Sequence, residues 1–147
     1  MPSDKMLIGQ YAHNIDEKSR LIMPQKLREA LGEEFIVTLG IDGCLFVMSV
    51  EEWTSFKERM RNQPMAKARD VQRYFFGNAT LVQPDKQGRI LIAAHLKQAA
   101  ALCKEVVIVG ADNRVELWSA ERWAQWTAAK EDFMGENIAA LMEDIGV

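Results

Sequence analysis

The sequence predicts an α+β protein built from two tandem β-rich units with flanking helices. Three observations predict it. First, the chain repeats itself: Asp16-Glu17-Lys18-Ser19-Arg20-Leu21-Ile22 aligns with Asp85-Lys86-Gln87-Gly88-Arg89-Ile90-Leu91 at an offset of 69 residues. After a single one-residue shift, Gly40, Asp42, Ser49, Glu51 and Trp53 meet Gly110, Asp112, Ser119, Glu121 and Trp123 at an offset of 70. Self-similarity at a fixed offset is the mark of a duplicated structural unit. Second, short apolar runs bounded by Gly, Asp and Asn read as strands joined by turns. Third, aromatic residues at helical spacing follow the last strand of each unit.

The elements come in one order in both units. Gln10–Ile15 alternates in part with period two and reads as a strand. The Asp-x-x-x-Arg segment follows. Asp-Lys-Gln-Gly suits a type I turn closed by a left-handed residue, which makes a three-residue hairpin loop. A short apolar strand comes next, Leu21–Met23 or Ile90–Ile92. Pro24 then opens a short helix that stops near Gly32, and its counterpart covers residues 94–102. Phe35–Leu39 and Leu45–Met48 flank the turn Gly40-Ile41-Asp42-Gly43. Val106–Val109 and Val115–Trp118 flank Gly110-Ala111-Asp112-Asn113, and Gly, Asp and Asn supply the turn conformations.

Ser49 and Ser119 cap the helices that follow, and Glu52 completes a capping box with Ser49. Trp53, Phe56 and Met60 share one face of the first of these helices, and Trp123 and Trp126 share one face of the second. Both stripes read as core or interface. Asn62-Gln63-Pro64 ends the first helix, and Met65–Phe76 reads as another, closed by Gly77. Beyond Trp126 the pattern is helical and acidic, with Glu131, Asp132, Glu136, Glu143 and Asp144 against Lys130, as in a solvated surface helix. The chain thus divides into a first unit at 8–53, a basic helical linker at 54–76, a second unit at 77–124 and an acidic helical tail at 125–147.

Composition narrows the function. The 147 residues are 48% hydrophobic and 27% charged, which suits a globular protein rather than a disordered one. A net charge of −3 excludes loose coating of nucleic acid by bulk charge, so any such site is a local patch. One candidate is the linker, where Lys57, Arg59, Arg61, Lys67, Arg69 and Arg73 outnumber Glu58 and Asp70. That face reads equally as phosphate contact or as a solvated or salt-bridged surface. Cys44 and Cys103 are too few for a disulfide framework and read as ordinary packing positions. His13 and His95 cannot build a usual metal cluster, so no metal and no cofactor are expected. No apolar run approaches the roughly 18 residues of a membrane span, and the first residues lack a signal-peptide core. A cytoplasmic protein of a reducing compartment is expected, with no membrane partner. Gly40-Ile41-Asp42-Gly43 is too short for a phosphate-binding loop, and no Gly-x-Ser-x-Gly is present. An enzyme, and with it a small-molecule substrate, is not expected.

The duplicated Asp-x-x-x-Arg segment carries the functional signal. Each turn places an arginine, Arg20 or Arg89, on the strand just past the hairpin tip. More positive charge lies close by, with Lys18, Lys26 and Arg28 in one unit and Lys86 and Lys97 in the other. The planar fork of arginine contacts phosphates or reads guanine edges, and a β-ribbon can enter a DNA major groove.

These residues suggest a family. Gly9, Asp16-x-x-x-Arg20, Trp53, Val71-Gln72-Arg73-Tyr74-Phe75-Phe76-Gly77, Asp85-Lys86-Gln87-Gly88-Arg89, Lys104-Glu105-Val106, Gly110, Glu116-Leu117-Trp118 and Trp123 together resemble the MraZ family over nearly the whole chain. Each unit resembles an AbrB/SpoVT-like swapped-hairpin domain. The resemblance implies a duplicated pseudo-twofold β-barrel within one chain, ring-shaped homo-oligomers, and a nucleoid-associated bacterial transcriptional regulator. It implies binding of double-stranded DNA at repeated elements upstream of the protein's own gene, at the head of a division and cell-wall cluster, and repression there. Arg20 and Arg89, with Lys18 and Lys86, are the implied DNA contacts, and Asp16, Asp85 and Gly88 form the turn motif. One position departs from the pattern: Ser19 stands where the family motif has Gly. A left-handed Ser costs on the order of 1 kcal/mol, or else the turn changes type and re-aims Arg20. An oligomeric protein-interaction module and an antitoxin-like protein are the competing readings.

Overall fold

The structure, a computed structural model, describes residues 6–129 and 136–147. Its elements run β1 (Gln10–Asn14), β2 (Arg20–Ile22), α1 (Gln25–Leu31), β3 (Phe35–Leu39), β4 (Leu45–Ser49), α2 (Val50–Arg61), α3 (Met65–Phe75), β5 (Thr80–Val82), β6 (Arg89–Leu91), α4 (Ala94–Ala99), β7 (Glu105–Gly110), β8 (Val115–Ser119), α5 (Ala120–Ala129) and α6 (Glu136–Ile145). The architecture is mixed α and β with antiparallel pairing throughout.

Six strands form one sheet in the order β1-β7-β8-β4-β3-β5, and β2 pairs with β6 in a separate two-stranded ribbon. The pairing exchanges strands between the repeats. β1 of the first repeat lies against β7 of the second, and β5 of the second lies against β3 of the first. A pseudo-twofold runs through the centre, where equivalent residues face one another: Leu21 opposite Ile90 in the ribbon, and Phe46 opposite Glu116 between β4 and β8. Neither repeat completes a sheet alone, which fits the marginal stability of isolated hairpins in water.

The six-stranded sheet is covered on both faces, so β3 and β4 are buried almost continuously instead of alternating. Phe35, Val37, Leu45, Val47, Val106, Ile108, Val115 and Leu117 point to an inner core. Leu21 and Ile90 of the ribbon and Leu27, Leu31 and Leu96 of α1 and α4 complete it. Phe46, Met48 and Trp118 point the other way and meet Trp53, Phe75, Trp123 and Trp126 from α2, α3 and α5. The aromatic stripes are therefore packing surfaces. The capping serines also act as expected, with Ser49 Oγ accepting from the Glu52 N–H at 3.1 Å and Ser119 Oγ from the Arg122 N–H at 3.0 Å.

Two expectations change, and a third falls partly outside the described residues. The helix expected over 94–102 ends at Ala99, because Ala101 turns left-handed at φ 53° and the Leu102 N–H bonds back to Lys97 O. The Ala101 N–H bonds to Gln98 O at the same place, which makes a Schellman ending. It folds Leu102 into the core. Cys103, expected at a packing position, is exposed, whereas Cys44 is buried. In the tail, Lys130, Glu131 and Asp132 lie outside the described residues, and the helix found there is α6.

Candidate nucleic-acid interface

The site begins with a carboxylate in a turn. Asp16 N–H donates to Arg20 O at 2.9 Å, and Ser19 N–H donates to Asp16 O at 3.0 Å. Asp85, Gly88 and Arg89 repeat both bonds at 2.9 Å. Ser19 and Gly88 each take the left-handed conformation, at φ 61° and 80°. This is a type I turn with a left-handed closing residue in both copies. Ser19 therefore adopts the strained backbone, and the turn does not change type.

The aspartate then fixes the arginine. Asp16 Oδ1 accepts from the backbone N–H groups of Lys18 and Arg20, both at 2.9 Å, and Oδ2 accepts from Arg20 Nε at 2.7 Å. Asp85 does the same for Gln87 N–H, Arg89 N–H and Arg89 Nε, at 2.9, 2.9 and 2.8 Å. The backbone N–H of the following arginine foremost holds each carboxyl below the ordinary aspartate range; desolvation opposes it, and the arginine guanidinium adds to the lowering. Using Nε for the internal bond leaves the outer edge of the guanidinium available. Arg89 Nη2 also donates to Gln87 Oε1 at 2.9 Å, whereas the terminal nitrogens of Arg20 bond to no other described residue.

The ribbon brings the two arginines together. Arg20 lies opposite Leu91, and Arg89 opposite Ile22, so the arginines are diagonal neighbours about 7–8 Å apart at Cα. Leu21 and Ile90 point into the core, which leaves Arg20, Ile22, Arg89 and Leu91 on the outer face. Ile22 and Leu91 are 40% and 62% exposed. Lys18 and Lys86 are exposed in the adjoining turns. Two aimed guanidinium groups, two aliphatic side chains and two flexible ammonium groups thus share one surface. Each tip is also bonded to the other repeat, since Ile92 N–H donates to Ser19 O and Met23 N–H to Gly88 O, both at 2.9 Å.

The structure separates this surface from the basic linker. The ribbon packs through Leu21 and Ile90 on the inner core, whereas α2 and α3 pack through Trp53 and Phe75 on the opposite side of the sheet. Sequence reasoning missed Arg28 and Lys97 as partners of the tips and read them only as nearby charge. Arg28 Nε donates to Met23 O at 2.8 Å, and Lys97 Nζ donates to Ser19 Oγ at 3.2 Å. Their equivalence at the 69-residue offset is the signal that could have found them. Elsewhere the chemistry is plain. His95 Nε2 lies 3.2 Å from Asn78 O, and burial foremost pushes the Cys44 thiol up to about 12. No group of three or more metal-donor side chains occurs among the described residues, and no described helix is long and apolar enough to cross a membrane.

Fold and site together define a duplicated mixed α and β protein, built on an antiparallel sheet, that displays a paired-arginine β-ribbon. A family model described as "MraZ protein, putative antitoxin-like" matches residues 6–73 and again 75–142. A Heliobacterium modesticaldum protein named transcriptional regulator MraZ is 54% identical over 82% of this chain and 86% of its own. A Halothermothrix orenii protein of the same name is 45% identical over 97% of this chain and all of its own. A third so named, from Lachnoclostridium phytofermentans, is 52% identical over 91% of this chain and 96% of its own. The chain belongs to the MraZ family, whose curated relatives are named as transcriptional regulators.

Proposed function

We propose that the protein is a sequence-specific regulator of transcription that binds double-stranded DNA through the β2–β6 ribbon. Arg20 and Arg89 read base edges or phosphates, and Lys18 and Lys86 contact the flanking backbone. The observation that carries this reading is the duplicated Asp–Arg geometry, in which an Nε bond of 2.7 or 2.8 Å fixes each guanidinium on the same exposed ribbon. Charged donors held in one orientation suit direct readout, because little side-chain freedom is lost on binding. The exchanged strands and the pseudo-twofold support an AbrB/SpoVT-like swapped-hairpin barrel, with 8–53 and 77–124 as its two units. The regulator represses its own gene and the adjoining division and cell-wall cluster from repeated upstream elements. It acts as a ring-shaped homo-oligomer on the cytoplasmic nucleoid, without a cofactor or small-molecule substrate. An acidic chain with one small cationic patch per copy gains from several copies on several repeats.

Fluorescence anisotropy with the duplex upstream of the protein's own gene tests this. Preference for that duplex over a shuffled one, and tighter binding to several repeats than to one, is the expected result. Equal, steeply salt-dependent binding to both duplexes means phosphate contact without readout and overturns sequence specificity. A second reading, an interaction or antitoxin-like module, draws support from α6, where Ile138, Leu141, Met142 and Ile145 form an exposed stripe at helical spacing. Absence of any DNA binding, with the oligomer intact, favours it.

A further inference from the structure

We propose that Arg28 and Lys97 are positioning residues which each repeat supplies to the other's hairpin. They form matched sets, Arg28 with Gly88 and Lys97 with Ser19, whose members cannot be exchanged singly. This rests on the DNA-reading role of the ribbon.

The two cations are equivalent in the repeat, one on α1 and one on α4, and each crosses to the opposite tip. A Cβ built on Gly88 meets Arg28 Cζ and Nε at 2.8 Å and Nη2 at 2.9 Å, so the guanidinium occupies the space a side chain there needs. Arg28 is itself held by Met23 O, and the Met23 N–H holds Gly88 O, which closes a small circuit around the second tip. At the first tip a side chain is present. The slender ammonium of Lys97 takes the place of the planar fork and donates to Ser19 Oγ at 3.2 Å, while Ile92 N–H holds Ser19 O. A compact point charge tolerates the extra atoms where a rigid fork does not.

The consequence reaches the DNA surface, because Ser19 and Gly88 directly precede Arg20 and Arg89. What packs over the left-handed residue sets the strand that carries the reading arginine. The departure at Ser19 is therefore compensated by Lys97, and the two tips reach the same Asp–Arg geometry by different packing.

A mutant cycle on the full-length oligomer tests this, read by anisotropy on the native upstream duplex and by thermal melting. Gly88→Ser alone is expected to lower affinity about tenfold, and Gly88→Ser with Arg28→Lys to recover most of that loss. In the mirror arm, Lys97→Arg alone lowers affinity, and Ser19→Gly with Lys97→Arg restores it. No variant removes a charge, so the salt slope stays that of the wild type in all of them. Should Gly88→Ser fail to fold, the mirror arm decides the matter by itself. Wild-type binding by both Gly88→Ser and Lys97→Arg, or double variants with simply added losses, overturns the proposal. Should the wild type not prefer its upstream duplex, the DNA reading has failed, and the cycle is scored on melting temperature. Recovery there supports the matched sets, and additivity there overturns them.

Discussion

Of the four residues at each hairpin tip, Asp16-Glu17-Lys18-Ser19 and Asp85-Lys86-Gln87-Gly88, only the aspartate is common to both. The hydrogen-bond lengths around it nevertheless agree to within 0.1 Å. The outer face of the sheet behaves differently. Met48 and Trp118 are equivalent in the repeat, yet the first side packs Trp53, Phe56, Phe75 and Phe76 together, whereas the second stacks Trp123 on Trp126 at 5.9 Å beside Trp118. The contrast separates two kinds of constraint. One carboxylate with three fixed donors dictates the ribbon hairpins, while the packing surface needs only volume, which different aromatic sets can fill.

The largest effect is expected where the repeats differ. Trp118→Ala, which empties a fully buried site, costs about 3–5 kcal/mol, and its counterpart Met48→Ala costs less within about 2–5 kcal/mol. Equal values in chemical denaturation would erase the asymmetry of the outer face. Leu21→Ala and Ile90→Ala, at fully buried positions facing one another on the pseudo-twofold, each cost about 2–5 kcal/mol and to the same extent. A tolerated change at one of them breaks the equivalence of the ribbon strands. Ser49→Ala and Ser119→Ala each cost about 1 kcal/mol by loss of an N-cap, and matching shifts in denaturation midpoint check it.

The smallest effect is a pH dependence. In the folded chain the backbone N–H of the following arginine foremost holds the carboxyls of Asp16 and Asp85 below the ordinary aspartate value of 3.8. Their contribution to stability is full above that value and is lost as pH falls through the lower folded value. Unfolding free energy followed from neutral pH down past 3.8 therefore declines only in acid, and Asp16→Asn with Asp85→Asn flattens that decline. A decline centred near neutral pH contradicts the assignment.

Much of this was legible in local pattern. The turn chemistry of Asp-x-x-x-Arg, the capping serines and the apolar runs around Gly40 and Gly110 each carry their own conformational preference, so the hairpins and helix starts fall where expected. Features set by tertiary contact left weaker traces. Thr80–Val82 is three residues long and becomes a strand by pairing with β3. The strand exchange followed from the family resemblance, since period and propensity do not name a partner. The end of α4 was missed because Ala101, where the first repeat has Gly32, carries no sequence mark of a left-handed ending. At the site, the arginines and aspartates were visible in the motif. The separation of the ribbon from the basic linker was not, because it depends on which side of the sheet each element covers.

The central claim is that both arginines of one ribbon read the DNA. Titrating Arg20→Ala and Arg89→Ala side by side on the native upstream duplex tests it most directly, with melting temperature recorded for each. Each variant is expected to lose about 1–3 kcal/mol of binding and its preference over a shuffled duplex, with the fold intact. Wild-type affinity and preference in both variants contradicts the account.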